Sequence, residues 1–172
     1  MSGFLDVPPQ HAAIVITEDG GGLVEKYREA AYQYRLEGRQ VKILGSCRSA
    51  CILALSVPNV CVGPEAVVMA HHAHGLYSGK IKPDTTKAIL GELPDNIRRV
   101  IGPNIKKKYT AKATLTYSQM RSLGIADCSQ VKPENPLIAA PTPKKVETVR
   151  EVSKGLSNPL PIKIFDLFTK RM

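Results

Sequence analysis

No run of about eighteen apolar residues exists in this chain, so a membrane-spanning helix is not expected. The longest apolar stretch, Cys51–Val57, suits a short core helix. The opening residues Met1-Ser2-Gly3-Phe4-Leu5-Asp6 lack a basic stretch followed by an apolar one, so no secretory signal is read and a cytoplasmic chain is expected. Cysteine is scarce: Cys47, Cys51, Cys61 and Cys128. Four are too few for a disulfide scaffold, and 172 residues can build a core without one. In the cytoplasm they read as buried or partly buried free thiols; in an exported chain they read as disulfides. Cys47 and Cys51 bracket three residues, but no second close pair completes a zinc site. No internal repeat and no nucleic-acid-binding motif is present. What remains, 43% hydrophobic and 23% charged residues, is the composition of a globular domain and excludes a wholly disordered chain.

Charge is unevenly placed. Residues 1–75 carry six Lys/Arg against seven Asp/Glu, and residues 76–172 carry eighteen against eight. The net charge of +9 therefore lies wholly in the second half. Lys106-Lys107-Lys108, with Arg98 and Arg99 nearby, could attract a polyanion or an acidic partner protein. No aromatics for base stacking are interleaved with it, so a solvated basic face is favoured over nucleic acid.

His11–Thr17 is a short β-branched apolar run that enters Glu18-Asp19-Gly20-Gly21-Gly22: a buried strand, then a glycine turn. Val24, Tyr27, Ala31 and Tyr34 follow at helical spacing, and the helix should stop near Gly38. Val41–Leu44 is a second strand running into the small-residue elbow Gly45-Ser46-Cys47-Arg48-Ser49-Ala50. Small neighbours there would let a substrate carbonyl approach. Ala50–Leu55 continues as an apolar helix ended by Pro58, and Val60–Val62 is a third strand. Ala66–Ala70 is a fourth element delivering His71-His72-Ala73-His74. This alternation implies an α/β fold with a mostly parallel sheet. Residues 83–110 read as helical, interrupted by Pro94 and Pro103. Thr116–Leu123 is a short helix capped by Gly124, and Ile125–Asp127 a last short strand or turn. The organisation expected is a core domain over 1–128, a proline-rich linker over 129–145 and a tail over 146–172. The tail holds a weak helix and the apolar end Ile162, Ile164, Phe165, Leu167 and Phe168, which would dock on the core or on a neighbouring subunit in a homo-oligomer.

Glycine turn, serine elbow and histidine cluster come in an order that suits acyl transfer. A serine hydroxyl needs a base within reach, and its tetrahedral intermediate needs fixed donors for the oxyanion. Ser49 at a helix start would sit among unpaired N–H groups. These segments resemble the Clp-type serine peptidases of the Clp-peptidase/crotonase superfamily. Asp19–Val24 is similar to their Ser-Pro-Gly-Gly-x-Val turn, and Cys47-Arg48-Ser49-Ala50-Cys51 to a Cys-x-Ser-Ala-Cys elbow. Val67–His71 is similar to the Val-Met-Ile-His segment, and Ser118–Asp127 to the closing helix with Gly-Leu-Val-Asp. The likeness spans roughly residues 11–128 and implies a spiral of ββα units. It also implies Ser49 as nucleophile, His71 as general base, and an oxyanion hole of the Gly21 and Ala50 N–H groups with Gly22 shaping the turn. A peptide or protein substrate and no cofactor follow. The Ser-Ala elbow and the histidine favour the peptidases over crotonase chemistry, which works on acyl-CoA without a serine.

The departures are specific. The segment where the family has its third triad member falls at Tyr109-Thr110-Ala111-Lys112-Ala113, with no carboxylate. Asp84, Asp95 or Asn104 would have to substitute, or Lys112 would have to form a Ser–Lys dyad with a lowered pKa. The family's first strand and helix have no counterpart before the glycine turn. A second function therefore stands beside the first: a Clp-peptidase fold kept as a structural or assembly protein, including as part of a larger viral or plasmid-encoded assembly. Each motif also has a simpler role. Ser49 could cap a helix, the histidines could bind zinc or nickel, and the glycines could cradle a phosphate. No carboxylate or cysteine adjoins the histidines, and no P-loop Lys-Ser/Thr follows the glycines.

Overall fold

β-Branched residues, with Ile14 and Ile16 buried, make the first strand, and a computed structural model describing residues 2–6, 12–75 and 77–131 places it at Ile14–Asp19 (β1). Helix α1, Val24–Leu36, buries Tyr27, Ala31 and Tyr34 at helical spacing and gives way at Gly38, whose φ is +63°. Strand β2, Val41–Arg48, leads directly into a 3-10 helix, Ser49–Ser56. Strands β3 (Val60–Val62) and β4 (Val67–Met69) follow, then helices α2 (Pro83–Glu92) and α3 (Asp95–Ile101). Strand β5 (Thr114–Thr116), helix α4 (Tyr117–Ser122) and strand β6 (Ala126–Asp127) complete the described core.

The fold is mixed α/β with a curled, mostly parallel six-stranded sheet, β5-β4-β2-β3-β6, and β1 also paired to β2. β2 is the hub. One of its edges takes β1 along most of its length. Its other pairings are divided: Val41–Ile43 hold β3, and Ser46–Arg48 hold β4. Only β4 with β5 is antiparallel. The register between β1 and β2 slips between Ile16 and Glu18, opposite Gly45. A Cβ on Gly45 would lie 2.1 Å from the Thr17 carbonyl oxygen, so its missing side chain serves backbone packing within the sheet rather than substrate approach.

Several expectations change. The apolar helix after the elbow is a 3-10 helix, and Ala50 to Leu55 are all buried, so no face of it is polar. β5 was not expected. Thr116 caps α4 through a capping box with Gln119. The interruptions at Pro94 and Pro103 are real: α3 starts after the first, and the second lies in a 3-10 turn, Gly102–Asn104. The free-thiol reading is overturned. Cys47 is bonded to Cys51, and Cys61 to Cys128, a separation of 67 residues that ties β3 to the chain leaving β6.

The chain divides into two units, Met1–Pro136 and Leu137–Met172, and every described residue lies in the first. The linker from residue 132 onward and the expected tail over 146–172 lie outside the described residues. Among the described residues no helix is long and apolar enough to cross a membrane.

Candidate active site

Three parallel strands end side by side. β1 ends with Asp19 opposite Cys47, and β4 ends with Met69 opposite Arg48. The segments that follow, Gly20–Gly22, Ser49–Ala50 and Ala70–His71, are thus delivered to one place, the carboxyl ends of adjacent strands, where open α/β sheets commonly bind ligands.

Ser49 has φ +58°, the one non-glycine residue with positive φ among those described. A side chain in that region costs about 1–2 kcal/mol, and the surroundings hold it there. The Cys47–Cys51 bridge closes a short ring around it, both sulfurs buried. The 3-10 helix begins at Ser49 with no side-chain cap, so the simple capping role is not the one Ser49 plays. Gly21, at φ +81°, is packed against the elbow: a Cβ there would lie 2.6 Å from Ser49 Cβ and 2.9 Å from the Ala50 nitrogen. Glycine is required on both counts.

The glycine turn is held from beneath by Asp19, which is 7% exposed. Its Oδ1 accepts from the Gly21 N–H (2.8 Å) and the Tyr27 hydroxyl (2.7 Å), and its Oδ2 accepts from the Phe4 N–H (2.7 Å). Burial, then the bond to Asp19, drives the Tyr27 hydroxyl up, so it stays a donor. The Gly21 N–H, expected to face the oxyanion, is therefore engaged elsewhere. Ala50 N–H lies in the first turn of the 3-10 helix, where amides have no partner within the helix.

His71 lines the same pocket as Ser49; His72 does not. His71 Nδ1 lies 2.8 Å from the His72 carbonyl oxygen. A carbonyl only accepts, so Nδ1 carries the proton and Nε2 is left as an acceptor. Burial lowers the His71 pKa from 6.5, against the opposing effect of that carbonyl, and the charges of His74 and His72 lower it further. The imidazole is thus neutral at pH 7. The Tyr109 ring meets it edge-on at 4.7 Å. Burial raises the Tyr109 hydroxyl, while the Arg48 charge and the Ser49 side chain pull it partly back. The His72 N–H donates to Lys106 O (2.8 Å) and the Ala70 N–H to Ala113 O (3.0 Å), docking the segment after α3 alongside the histidine.

The pocket holds about 20 Å³, enough for one water-sized group. Val24, Ile52, Ile89, Leu90 and Ile105 make it apolar, with Ser49 and His71 among its lining. None of the proposed third members lines it. Asp84 is exposed in the first turn of α2, and Asp95 pairs with Arg98. Lys112 is exposed on the 3-10 turn Ala111–Ala113, and Asn104 donates to Val100 O. Among the described residues no group of three or more His, Cys, Asp or Glu could hold a metal ion. Asp19 and Tyr109 were missed in the sequence. Their signals were an acid directly before a glycine run and an aromatic in the segment where the third member was sought. Comparison of the chain with protein-family models, with curated proteins and with solved structures finds no match.

Proposed function

We propose that the chain is a serine hydrolase with a Clp-peptidase-like spiral fold, cleaving peptide bonds through Ser49 with His71 as base. The observation that carries this reading is the strained elbow. Ser49 is held at φ +58° at a strand-to-helix turn, with Gly21 packed on it and His71 in the same pocket. Spending strain on a serine backbone is a feature of nucleophile elbows and has no evident use in packing.

In this reading His71 Nε2 takes the Ser49 proton as Oγ bonds to the scissile carbonyl carbon. The oxyanion is met by the N–H groups of Ala50 and Gly22. As the tetrahedral intermediate collapses, the C–N bond breaks and His71 returns the proton to the leaving amine. Water, deprotonated by the same histidine, then cleaves the acyl-enzyme. The His72 carbonyl does the orienting work that an aspartate does in a Ser-His-Asp triad, by fixing the tautomer; it supplies no negative charge to stabilise the imidazolium. That difference favours a slow enzyme, since mis-oriented or unsupported histidine costs up to about 10⁴ in rate. The two disulfides support an oxidising compartment in place of the cytoplasm.

The assembly reading is favoured by one observation: among the described residues no carboxylate lines the pocket. A fluorophosphonate probe decides between the two. The hydrolase should be labelled at Ser49, and Ser49→Ala should abolish labelling while leaving the thermal midpoint nearly unchanged. Absence of labelling in the wild type, or labelling that survives Ser49→Ala, overturns the assignment.

A further inference from the structure

We propose that Asp19 is the positioning residue of this site: it locks the glycine turn against the Ser49 elbow and ties that turn to the segment Ser2–Asp6. The proposal rests on the hydrolase reading for its kinetic consequence and on geometry for the lock itself.

Three donors from three separate parts of the chain meet on this one carboxylate. They are the Phe4 N–H, the Gly21 N–H and the Tyr27 hydroxyl, at 2.7, 2.8 and 2.7 Å. A carboxylate can accept all three; a neutral amide offers a single oxygen and a pair of donors that would face donors. The side chain is buried, so water does not substitute for a lost partner. The consequence for the turn is direct. A Cβ on Gly21 would lie within 3 Å of Ser49 Cβ, Arg48 O and the Ala50 nitrogen, so the turn is packed on the elbow, and the Gly21 N–H is bonded to Asp19. With that N–H pinned, the chain leading into Gly22 is restrained as well. The Gly21 amide is thus a latch, not an oxyanion donor.

The other end of the device is the N-terminal segment. Phe4 is fully buried, stacked on Tyr27 (5.8 Å) and edge-on to Tyr34 (5.2 Å), and the Tyr34 hydroxyl donates to its carbonyl at 2.9 Å. Ser2 O accepts from the Thr17 N–H at 2.8 Å. Residues 2–6 are therefore packed on α1 and β1 and reach the site through a single acid. Dislodging Phe4 removes one of the three donors and opens the cover over Asp19.

Asp19→Ala, which removes both acceptor oxygens, is the test, with Asp19→Asn, which keeps one, as the milder variant; both are read in two ways. Amide exchange of Gly21, followed by NMR, reports the latch without any need for activity; protection should be lost in Asp19→Ala and kept in wild type and in Ser49→Ala. Fluorophosphonate labelling reports the reaction. Its rate should fall about ten- to a hundredfold, the scale of a small misplacement of a catalytic group, while the end-point stays stoichiometric. A full end-point separates slow molecules from unfolded ones, which a merely structural role would not do. Phe4→Ala should show the same pattern in milder form. Retained Gly21 protection in Asp19→Ala overturns the latch. Lost protection with an unchanged labelling rate overturns Asp19 as a positioning residue while leaving the hydrolase reading intact. A wild type that never labels overturns the hydrolase reading and the kinetic half of this proposal, and the exchange measurement still decides the latch.

Discussion

Two regions of the sheet are each closed by a disulfide, and the bonds do different work. At the hub strand, Cys47–Cys51 spans four positions and encloses the one strained serine. Around β3 and β6, Cys61–Cys128 spans 67 positions, His71 among them, and lies at the far side of a long loop rather than at the elbow; it fastens the last described strand to the sheet. The short bridge restricts few conformations of the unfolded chain but shapes a local turn. The long bridge restricts many and shapes little. A stability assay would rank the two in one order and an activity assay in the other.

Removing the long bridge is the larger perturbation to stability. Cys61→Ser with Cys128→Ser should lower unfolding free energy by about 4 kcal/mol, from the loop-closure entropy of a loop this long. The labelling rate per folded molecule should not change. Denaturant melts with a parallel labelling time course check both halves; a slowed rate in the folded fraction would break the comparison.

Removing the short bridge should cost about 2 kcal/mol on the same basis. Here the labelling rate should fall, because nothing else covalently constrains Ser49 at positive φ. Unchanged labelling would mean that packing of Gly21 against the elbow is sufficient alone.

The smallest effect is in pH dependence, and it sharpens the contrast. His71 is held below its ordinary 6.5, chiefly by burial. The unfolded chain therefore takes up this proton at a higher pH than the folded one. The contribution of His71 to stability is fully present above about 6.5 and is lost as pH falls through the folded value. Labelling needs the neutral ring, so its rate should rise with pH through a midpoint below 6.5. The long-bridge variant should keep that midpoint. A midpoint above 6.5 would show that His71 is not the base or is not buried when it acts.

How much of this was readable beforehand depended on range. β1, α1 and β2 carried local periodicity and were legible, as was the turn at Gly124, whose φ is +88°. The candidate pair Ser49 and His71 was legible through motif order, because parallel strands deliver their following residues to one edge. β5 was not: Thr114-Leu115-Thr116 has one apolar residue, and only its pairing to β4 defines it. Ala50–Leu55, buried all round, has no polar face to distinguish a 3-10 from an α-helix. Cysteine spacing carries no pairing information without the compartment. Tyr109 becomes relevant only through bonds between distant segments, Lys106 to His72 and Ala113 to Ala70. Asp19 likewise acquires meaning only when Phe4, 15 positions earlier, and Tyr27, eight later, fold onto it.

The segment Ser2–Asp6 has one further consequence, for association between molecules. A sheet edge with unpaired N–H groups is a template for another strand, and folds blunt such edges by shortness or by cover. β5 and β6, at the two ends of the sheet order, have three and two residues. β1 has six and, among the described residues, pairs as a strand only with β2. Its outer side is met by Ser2, whose carbonyl accepts from the Thr17 and Glu18 N–H groups and whose own N–H donates to Thr17 Oγ1. The same few residues that steady the glycine turn thus guard the longest exposed edge, so their loss would be felt first as sticking of one chain to another.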